Sequence, residues 1–329
     1  MPSAAAASPT SSTDGGWVVG VDGGGTKTIA VVVDSAGRPR GWGRGGPANQ
    51  QMVGAQAAAA AVRTAVTAAV AAAGVVGRPV AVCAGLAGLD RPAEFASLES
   101  ALAATGWSCR LVSDARAALA GALGDRPGAV VIAGTGSMVL AQDAAGNVAR
   151  ASGWGYLVGD EGSAYAIGRA ALAAASQAVD GRAPATALVA AICTDWGLAE
   201  LADLRRLLYG DPTAHQRIAT LAPAVAAADR DKDAVAHGIL ASAGADLAVA
   251  VAAACRRLEV IRPVVARVGS VWRSATVATT FAARLAELLT DVEIVSPRLP
   301  PAGGAAYLAL LAGGHRPRLD TWPQWEEPS

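Results

Sequence analysis

Three consecutive glycines follow an aspartate in Asp22-Gly-Gly-Gly-Thr-Lys-Thr28. Glycines let backbone N–H groups converge on an anion, and the threonine hydroxyl adds a donor. Asp22 could hold Mg²⁺ through water, because Mg²⁺ keeps part of its hydration shell. A glycine-rich hairpin turn with a solvated aspartate would have the same sequence, so the motif alone leaves both interpretations open. It does not have the spacing of a Walker A loop.

Gly134-Thr-Gly-Ser137 stands at the equivalent point of the second half of the chain, again after an apolar run. Four small residues after a strand are common by chance, so this motif alone is weak. Its placement strengthens it, because two such hairpins in a duplicated fold can face each other across a cleft. That arrangement would bind a phosphate chain from both sides.

Asp114 ends the sequence Val112-Ser-Asp114 and precedes a predicted helix. Asp is a preferred N-cap residue, and the local sequence favours that role. The alternative is a carboxylate at the carboxyl end of a strand, where α/β sheets place ligands, accepting the proton of an attacking hydroxyl. The two roles are compatible only if the side chain is not committed to the cap.

The segment Gly153-Trp-Gly-Tyr-Leu-Val-Gly-Asp-Glu-Gly-Ser163 is dense in glycine and precedes another predicted helix. Trp154 offers a flat apolar surface, the glycines let the backbone approach a ligand, and Asp160 can accept two sugar hydroxyls. The alternative is a long loop in which Asp160 and Glu161 face the helix dipole. The conformational cost of so many glycines disfavours a purely structural role.

These motifs lie at the turns of a repeated order of elements. The hydrophobic pattern predicts strands at Trp17–Val21, Ile29–Val33, Gly41–Arg44, Val80–Ala84, Cys109–Val112, Ala129–Ala133, Met138–Gln142, Val148–Ala151, Val264–Val268 and Val292–Val295. It predicts helices at Val53–Ala73, Pro92–Ala104, Ala115–Leu123, Ala275–Leu289 and Gly303–Ala312. The order βββαβαβα therefore occurs twice, with a helical insertion from Ser163 to about Arg257 in the second copy. Gly124-Asp-Arg-Pro127 would be the hinge between the copies.

Composition restricts the class of protein. The 329 residues, 53% hydrophobic and 16% charged, suit two lobes of roughly 150 residues with large cores. The formal net charge is zero and there is no Lys/Arg run, which argues against nucleic-acid binding. The four cysteines lie far apart without CxxC, which favours a reducing, cytoplasmic compartment. Residues 1–14 do not resemble a secretory signal, and the longest apolar stretch, Leu247–Cys255, is too short to span a membrane.

Taken together, the motifs resemble the ATPase superfamily of sugar kinases, heat-shock proteins and actin. Within it, the chain is similar to the N-acetylglucosamine kinase and BadF/BadG/BcrA/BcrD group. The resemblance extends from about Val18 to Ala312, and its blocks are Val21–Thr28, Gly85–Pro92, Ser113–Asp114, Gly134–Ser137, Gly153–Ser163 and Val268–Ser274. It implies an α/β fold of two ribonuclease H-like (actin-like ATPase) lobes flanking a nucleotide cleft. One departure is Met138, where the animal N-acetylglucosamine kinases often have Asn.

The resemblance also implies a role for each matching residue. Residues implied to contact ATP phosphates are Gly23, Gly24, Gly25, Thr26, Gly134, Thr135 and Gly136, and those implied to border the adenosine are Gly269, Ser270, Gly303 and Gly304. Asp22 would lie near Mg²⁺, and Asp114 would be the catalytic base. The implied sugar contacts are Asn49, Trp154, Gly155 and Asp160.

The expected organisation is a flexible tail (residues 1–16), an N-terminal lobe (17–124), a C-terminal lobe with the helical insertion (125–315) and a C-terminal tail (316–329). It remains open whether the last helix packs on the N-terminal lobe instead. The expected function is ATP- and Mg²⁺-dependent phosphorylation of an amino sugar, N-acetyl-D-glucosamine to its 6-phosphate. The alternatives are a glucosamine kinase and a non-kinase regulatory ATPase of the BadF type. The expected partner is a small sugar, without nucleic acid or membrane, and homodimerisation is an expectation from the family alone.

Overall fold

The computed structural model describes residues 16–89, 91–323 and 325. The strands are β1 (Val18–Gly23), β2 (Thr28–Val33), β3 (Pro39–Gly45), β4 (Ala81–Leu86), β5 (Cys109–Ser113), β6 (Gly128–Ala133), β7 (Ser137–Gln142), β8 (Val148–Ala151), β9 (Val264–Val268) and β10 (Glu293–Val295). The helices are α1 (Gln50–Val53), α2 (Ala55–Ala73), α3 (Pro92–Leu102), α4 (Asp114–Leu123), α5 (Ala164–Val179), α6 (Leu188–Trp196), α7 (Leu204–Leu208), α8 (Ala214–Ala219), α9 (Ala222–Arg230), α10 (Ala234–Arg257), α11 (Ala275–Leu288) and α12 (Pro301–Ala312).

The predicted order of strands and helices is confirmed, and the α/β fold has two sheets with flanking helices. The helical insertion is divided more finely than the sequence predicts, into α5 to α10. Pro223 lies in the first turn of α9, where its missing N–H costs no helical hydrogen bond. Between α9 and α10 the chain turns at Lys232, with φ +68°, and Asp233 then caps α10.

The chain folds into two compact units. Among the described residues, the first unit consists of 16–89, 91–117, 299–323 and 325, and the second unit of 118–298. The last helix, α12, for which the sequence leaves two positions open, belongs to the first unit. The physical reason is Gly20 of β1, where a Cβ atom would lie 2.1 Å from the Ala302 carbonyl oxygen and 2.3 Å from the Ala306 nitrogen. The helix therefore lies directly on the strand backbone.

In the first unit, the strand order is β3-β2-β1-β4-β5. Strands β1, β4 and β5 are parallel, whereas β2 pairs antiparallel with both β1 and β3. Val19 and Val21 belong to the core that packs under α2, and Gly20 between them faces α12. Side chains alternate along a strand, so the two helices cover opposite faces of this sheet.

The strand order of the second unit is β8-β7-β6-β9-β10. Counted along the chain within each unit, this is the same order, 3-2-1-4-5, as in the first unit. Strands β6, β9 and β10 are parallel, and β7 pairs antiparallel with β6 and β8. Its core joins the sheet to the long helices through buried side chains such as Val131, Leu247 and Phe281. The repeat of element order inferred from the sequence is thus a repeat of sheet topology.

Two helices, α2 and α10, are long and apolar enough to cross a membrane by length and composition alone. Both helices are longer than the apolar stretch Leu247–Cys255, from whose length the sequence analysis expected no membrane span. Both contribute buried residues to the core of their own unit, for example Val62 and Val66 of α2 and Leu247 and Val251 of α10. Core helices of water-soluble domains pass the same length test, so these helices give only weak support for a membrane span.

The C-terminal segment is packed against the first unit as far as the structure describes it. The indole rings of Trp322 and Trp325 stack at 5.5 Å between centroids, and both are buried. Trp322 lies against Gly37, where a Cβ atom would approach its ring to 2.3 Å. Trp42 and Tyr307 contact the pair edge-on. The expected tail at residues 316–329 is therefore partly a core element, while residues 1–15 of the other expected tail lie outside the described residues.

Candidate active site

In the first unit, the Asp22–Thr28 motif forms the hairpin between β1 and β2. The Gly24 N–H donates to the Lys27 carbonyl at 3.0 Å and closes the turn. Gly23 is required by packing, since a Cβ there would lie 2.4 Å from Leu86 Cδ2. At Gly24 the nearest atom to a Cβ would be the Lys27 oxygen, at 3.8 Å. The space beside Gly24 is therefore open to a ligand.

Asn49 is held beside this hairpin by its backbone. The N–H groups of Ala48 and Asn49 both donate to the Gly24 carbonyl, at 2.9 and 3.1 Å. The side-chain Oδ1 of Asn49 accepts from the Gln51 N–H at 3.0 Å and caps α1. Because the cap uses Oδ1, the Nδ2 group is what Asn49 can offer a ligand.

Asp22 and Asp114 both lie at the carboxyl edge of the first sheet. In the parallel set, Gly23 is level with Leu86, and Leu86 is level with Ser113. This edge is where α/β sheets bind their ligands. Ser113 Oγ accepts a hydrogen bond from the Arg116 N–H at 3.3 Å. The three-residue spacing is that of a helix N-cap. Ser113 thus caps α4, and the cap does not require the Asp114 carboxylate. Asp114 Oδ1 accepts a hydrogen bond from the Ala115 N–H at 2.7 Å.

In the second unit, Gly134–Ser137 forms the corresponding hairpin between β6 and β7. The Gly134 N–H donates to the Gly136 carbonyl at 2.9 Å. The first N–H groups of α5 bond to the same turn, from Ala164 to the Gly134 carbonyl at 2.8 Å and from Tyr165 to the Thr135 carbonyl at 3.2 Å. A Cβ at Gly134 would meet no described atom within 4 Å. This hairpin is fixed from the α5 side and open at Gly134.

Asp160 is in contact with this second hairpin. A Cβ at Gly136 would lie 2.7 Å from Asp160 Oδ2, so only glycine leaves room for the carboxylate. Asp160 is 9% exposed and has a φ of +61°, a conformation that costs energy in a non-glycine residue. Burial raises the pKa of the Asp160 carboxyl, while backbone hydrogen bonds from Ser137 and Gly155 oppose that rise. A strained, partly desolvated carboxylate held against a glycine turn is typical of a functional site.

The loop before Asp160 exposes its apolar side chains. Trp154 is 79% exposed, between Gly153 and Gly155, which both have positive φ. The Arg150 guanidinium binds the Gly153 carbonyl and secures the start of the loop. Trp154 thus contributes little to the core and offers its indole face at the surface of the second unit.

Gly269 and Ser270 lie next to the second hairpin. Strand β9 runs parallel to β6 with Val268 level with Ile132, so the two strands end side by side. Gly269 has a φ of +112°, and a Cβ there would lie 2.2 Å from the Ala133 carbonyl oxygen, so the position requires glycine. Two motifs quoted from distant parts of the sequence are therefore adjacent.

A cavity of about 400 Å³ in the second unit is lined by both Thr135 and Ser270. Small-molecule sites span roughly 300–1,000 Å³, and the cavity lies within that range. Its other lining residues are Ala164, Ile167, Gln216, Ala219, Thr220, Ala222, Pro223, Ala226, Arg230, Leu240, Val271, Arg273 and Ser274. All of these are in the described part of the chain, and the charged ones are both arginines. The cavity therefore favours an anionic ligand with an apolar portion.

Most of this lining was not identified from the sequence. Gln216, Thr220, Pro223 and Arg230 come from α8, α9 and the turn between them, inside the helical insertion. In an alanine-rich helical segment no local pattern distinguishes the face that lines a cavity. Arg273 lies in the quoted block Val268–Ser274, which was the one available signal.

Asp229 joins the helices that form this cavity. Its Oδ2 accepts from Thr276 Oγ1 of α11 at 2.6 Å, and its Oδ1 lies 2.9 Å from His237 Nδ1 of α10. The Thr276 hydroxyl, followed by His237, holds the pKa of the Asp229 carboxyl below its usual value. Asp229 therefore couples the α9 wall to the start of α11.

A second cavity, of about 660 Å³, lies behind the glycine-rich loop and between α5 and α10. Its charged lining residues are Glu161, Asp246 and Arg169. Burial, and then the charge of Glu161, raise the pKa of Asp246. This acidic balance makes the second cavity less suited to a phosphate-bearing ligand than the first.

Gly303 and Gly304 lie within α12 of the first unit and are buried. A Cβ at Gly303 would lie 2.9 Å from the Trp325 ring and 3.0 Å from Leu299 Cβ. These contacts explain why position 303 is glycine. The role beside the adenosine that the resemblance implies for these two residues stays a prediction.

The implied Mg²⁺ ion requires only one or two carboxylates from the protein. The described residues contain no group of three or more His, Cys, Asp or Glu side chains that would hold a metal ion. Mg²⁺ in nucleotide sites is bound by one or two carboxylates, with phosphates and water completing its shell. Asp22, at the strand end beside an open glycine hairpin, meets that requirement.

Comparisons with known proteins cover nearly all of the described chain. The sequence pattern of the BadF/BadG/BcrA/BcrD ATPase family matches residues 19–309. The N-acetyl-D-glucosamine kinase of Dictyostelium discoideum is 28% identical over 316 residues, 89% of this chain and 97% of that protein. The N-acetylmuramic acid/N-acetylglucosamine kinase of Clostridium acetobutylicum is 36% identical over 175 residues. That match spans 53% of this chain and 57% of the relative.

Among solved structures, the chain is similar to a provisionally assigned N-acetylglucosamine kinase of Chromobacterium violaceum. The TM-score is 0.71 at 29% identity, over 89% of this chain and 98% of that one.

Proposed function

Because the chain belongs to the BadF/BadG/BcrA/BcrD ATPase family, we propose that it is a kinase that transfers the γ-phosphoryl group of ATP to an amino sugar. Membership in the family implies the use of ATP. N-acetyl-D-glucosamine is the proposed acceptor, and its 6-phosphate the product. The names of the two relatives, both N-acetylglucosamine kinases, support this substrate class.

The contact between Asp160 and Gly136 is the observation that carries the proposal. A kinase must hold an acceptor hydroxyl close to the transferred phosphoryl group. Here a carboxylate suited to sugar hydroxyls lies against the glycine turn proposed to bind phosphate, within one unit. A regulatory ATPase without an acceptor would not need a buried carboxylate at this point.

The 400 Å³ cavity supports a nucleotide at the same hairpin. Thr135 and Ser270 line it, and Arg230 and Arg273 give it positive charge. The remaining lining is mostly apolar, which suits the flat face of a base. We therefore place the nucleoside in this cavity, with the phosphates extending along Gly134–Gly136.

In the first unit, we assign Asp114 as the base that accepts the proton of the 6-hydroxyl as the phosphoryl group transfers. Ser113 makes the helix cap, which leaves this role compatible with the structure of α4. Asn49 would donate from Nδ2 to the sugar. Asp22 would hold Mg²⁺, whose charge supplies stabilisation of the phosphates when it is bound.

The acetamide group of the sugar distinguishes the two amino-sugar candidates. At neutral pH glucosamine is largely an ammonium ion, so its site needs a carboxylate beside C2. An acetamide needs an apolar surface for its methyl group and a donor for its carbonyl. The exposed indole of Trp154 and the backbone of Gly155 supply these, which favours N-acetylglucosamine.

A reducing, cytoplasmic compartment is part of the proposal. The four cysteines, all in the described part of the chain, are free thiols. Burial raises the pKa of Cys83 and Cys109 to about 12, which makes both poor nucleophiles for disulfide exchange.

A coupled assay of ADP release tests the function. The wild-type protein is supplied with Mg²⁺-ATP and, in turn, N-acetylglucosamine, N-acetylmuramic acid, glucosamine, glucose and no sugar. We expect release to depend on sugar and to be fastest with N-acetylglucosamine, with one sugar 6-phosphate formed per ADP. ADP release that is independent of every sugar would instead identify a regulatory ATPase, and a preference for glucosamine would overturn the acetamide assignment.

A further inference from the structure

We propose that Gln216 of α8 selects the base of the nucleotide and makes the enzyme prefer ATP to GTP. This inference rests on the proposed nucleotide cavity and adds a specificity residue that lies outside every glycine-rich motif. Gln216 lines the cavity that Thr135 and Ser270 also line.

Gln216 differs from the other polar side chains of the cavity in what it can offer. Its carboxamide carries an acceptor and two donors in one plane. It makes no side-chain hydrogen bond to any residue that the structure describes, whereas Thr220 Oγ1 donates to the Arg217 carbonyl at 2.7 Å, and Ser274 Oγ accepts from the Val277 N–H at 3.3 Å. The amide is thus available to a ligand.

The chemistry of the amide matches adenine. The N6/N7 edge of adenine presents the N6 amino donor beside the N7 acceptor, and a glutamine amide pairs with both. The corresponding edge of guanine presents O6 and N7, which are both acceptors. The Gln216 oxygen would then face an acceptor, so guanine would lose one hydrogen bond and gain a repulsion.

The side chains that line the cavity together with Gln216 suit a flat base. Pro223 and Ala226 of α9 give one apolar wall, and Ile167 of α5 gives another. The arginines Arg230 and Arg273 are donors only and are not able to accept from the adenine amino group. They favour the anionic nucleotide as a whole without distinguishing its base, whereas the Gln216 amide offers a donor and an acceptor side by side.

Three variants test the proposal. Gln216→Ala removes both hydrogen bonds. Gln216→Arg replaces the amide with donors, which suit guanine O6 and N7. Gln177→Arg makes the same exchange on an exposed face of α5 that does not line the cavity, and it is the matched control. Both positions, 216 and 177, are exposed on helices, where Ala and Arg are good helix formers, so the three variants should fold.

The primary measurement is the dissociation constant of Mg²⁺-ATP and Mg²⁺-GTP by calorimetric titration, with kcat/KM for each nucleotide as the second. We expect the wild-type protein to prefer ATP at least about fivefold, the lower limit for one bidentate base contact. Gln216→Ala should reduce that ratio to near one, Gln216→Arg should shift it towards GTP, and Gln177→Arg should keep the wild-type ratio.

Two results would overturn the inference: equal affinity of the wild-type protein for ATP and GTP, or an unchanged ratio in both Gln216 variants. The titration needs no sugar, so it separates this inference from the proposed function. A protein that binds ATP selectively through Gln216 but phosphorylates no sugar would retain the first and refute the second.

Discussion

Gly134→Ala is the most direct test that the second hairpin binds phosphate. A methyl group at this position meets no described atom within 4 Å, and the φ of Gly134 lies outside the left-handed region. Alanine therefore fits the unliganded turn, and the free energy of unfolding should change by about 0.5 kcal/mol or less. Any larger effect on binding then reports on a ligand that approaches the turn closely.

The expected loss follows from the contacts that the methyl group would block. A hydrogen bond to a charged group contributes about 1.5–3 kcal/mol. Losing one backbone N–H contact to phosphate should weaken ATP binding roughly 10- to 150-fold. Affinity for N-acetylglucosamine should change much less, because the methyl group at residue 134 does not displace Asp160.

Titration calorimetry with Mg²⁺-ATP and with sugar measures both affinities, and a thermal melt checks the fold. Gly238→Ala is the matched control, because a Cβ there also meets nothing within 4 Å and Gly238 lines the other cavity. A folded Gly134→Ala protein with wild-type affinity for ATP would refute the phosphate role. Gly136→Ala is a poorer test, since its methyl group would press on the Asp160 carboxylate at 2.7 Å.

Three further outcomes are expected. Asp114→Asn should fold normally, because Ser113 makes the helix cap, and should lose on the order of 100-fold or more in kcat; a fully active variant in the ADP assay would remove Asp114 from the role of base. Trp154→Ala should lower kcat/KM for N-acetylglucosamine by about tenfold, the value of a methyl contact, and lower that for glucosamine less; equal losses would contradict the acetamide surface. Asp229→Asn should cost about 1–3 kcal/mol of unfolding free energy at pH 7 by weakening its bond to Thr276. Because the pKa of Asp229 is lowered in the folded protein, its stabilisation is present above about pH 3.9 and is lost as the pH falls through the folded value. Denaturant titrations of wild type and variant should therefore converge in acid, and a constant difference down to that range would contradict this account.

The sequence was most informative where local patterns decide the structure. Val148–Ala151 and Val264–Val268 have the predicted bounds because apolar runs ended by polar or glycine residues mark strands. The glycine-rich motifs of the candidate site could be predicted from the sequence because their glycines are needed for local geometry. Gly23, Gly136 and Gly269 are required by close packing or positive φ, and such needs show in the residue type itself.

The parts that the sequence did not predict depend on tertiary contacts. The prolines of residues 316–329 suggested an irregular tail, but burial of Trp322 and Trp325 depends on Gly37 and Gly303, far away in the chain. Gln216 was missed because an exposed glutamine on an alanine-rich helix has no local feature that indicates a cavity. Sequence patterns predict which face is apolar, whereas only the folded chain defines which polar residues converge.

The first unit is built from both ends of the described chain, and this affects the order in which the protein can fold during synthesis. Residues 118–298 form a continuous unit, so the second unit has all its strands as soon as β10 has left the ribosome. The first unit is translated earlier but lacks α12, which lies on the backbone of β1 at Gly20. Until residues 299–312 emerge, the part of the first sheet that α12 covers stays exposed to chaperones or to other nascent chains. The half of the protein that is made first is therefore the half that is finished last.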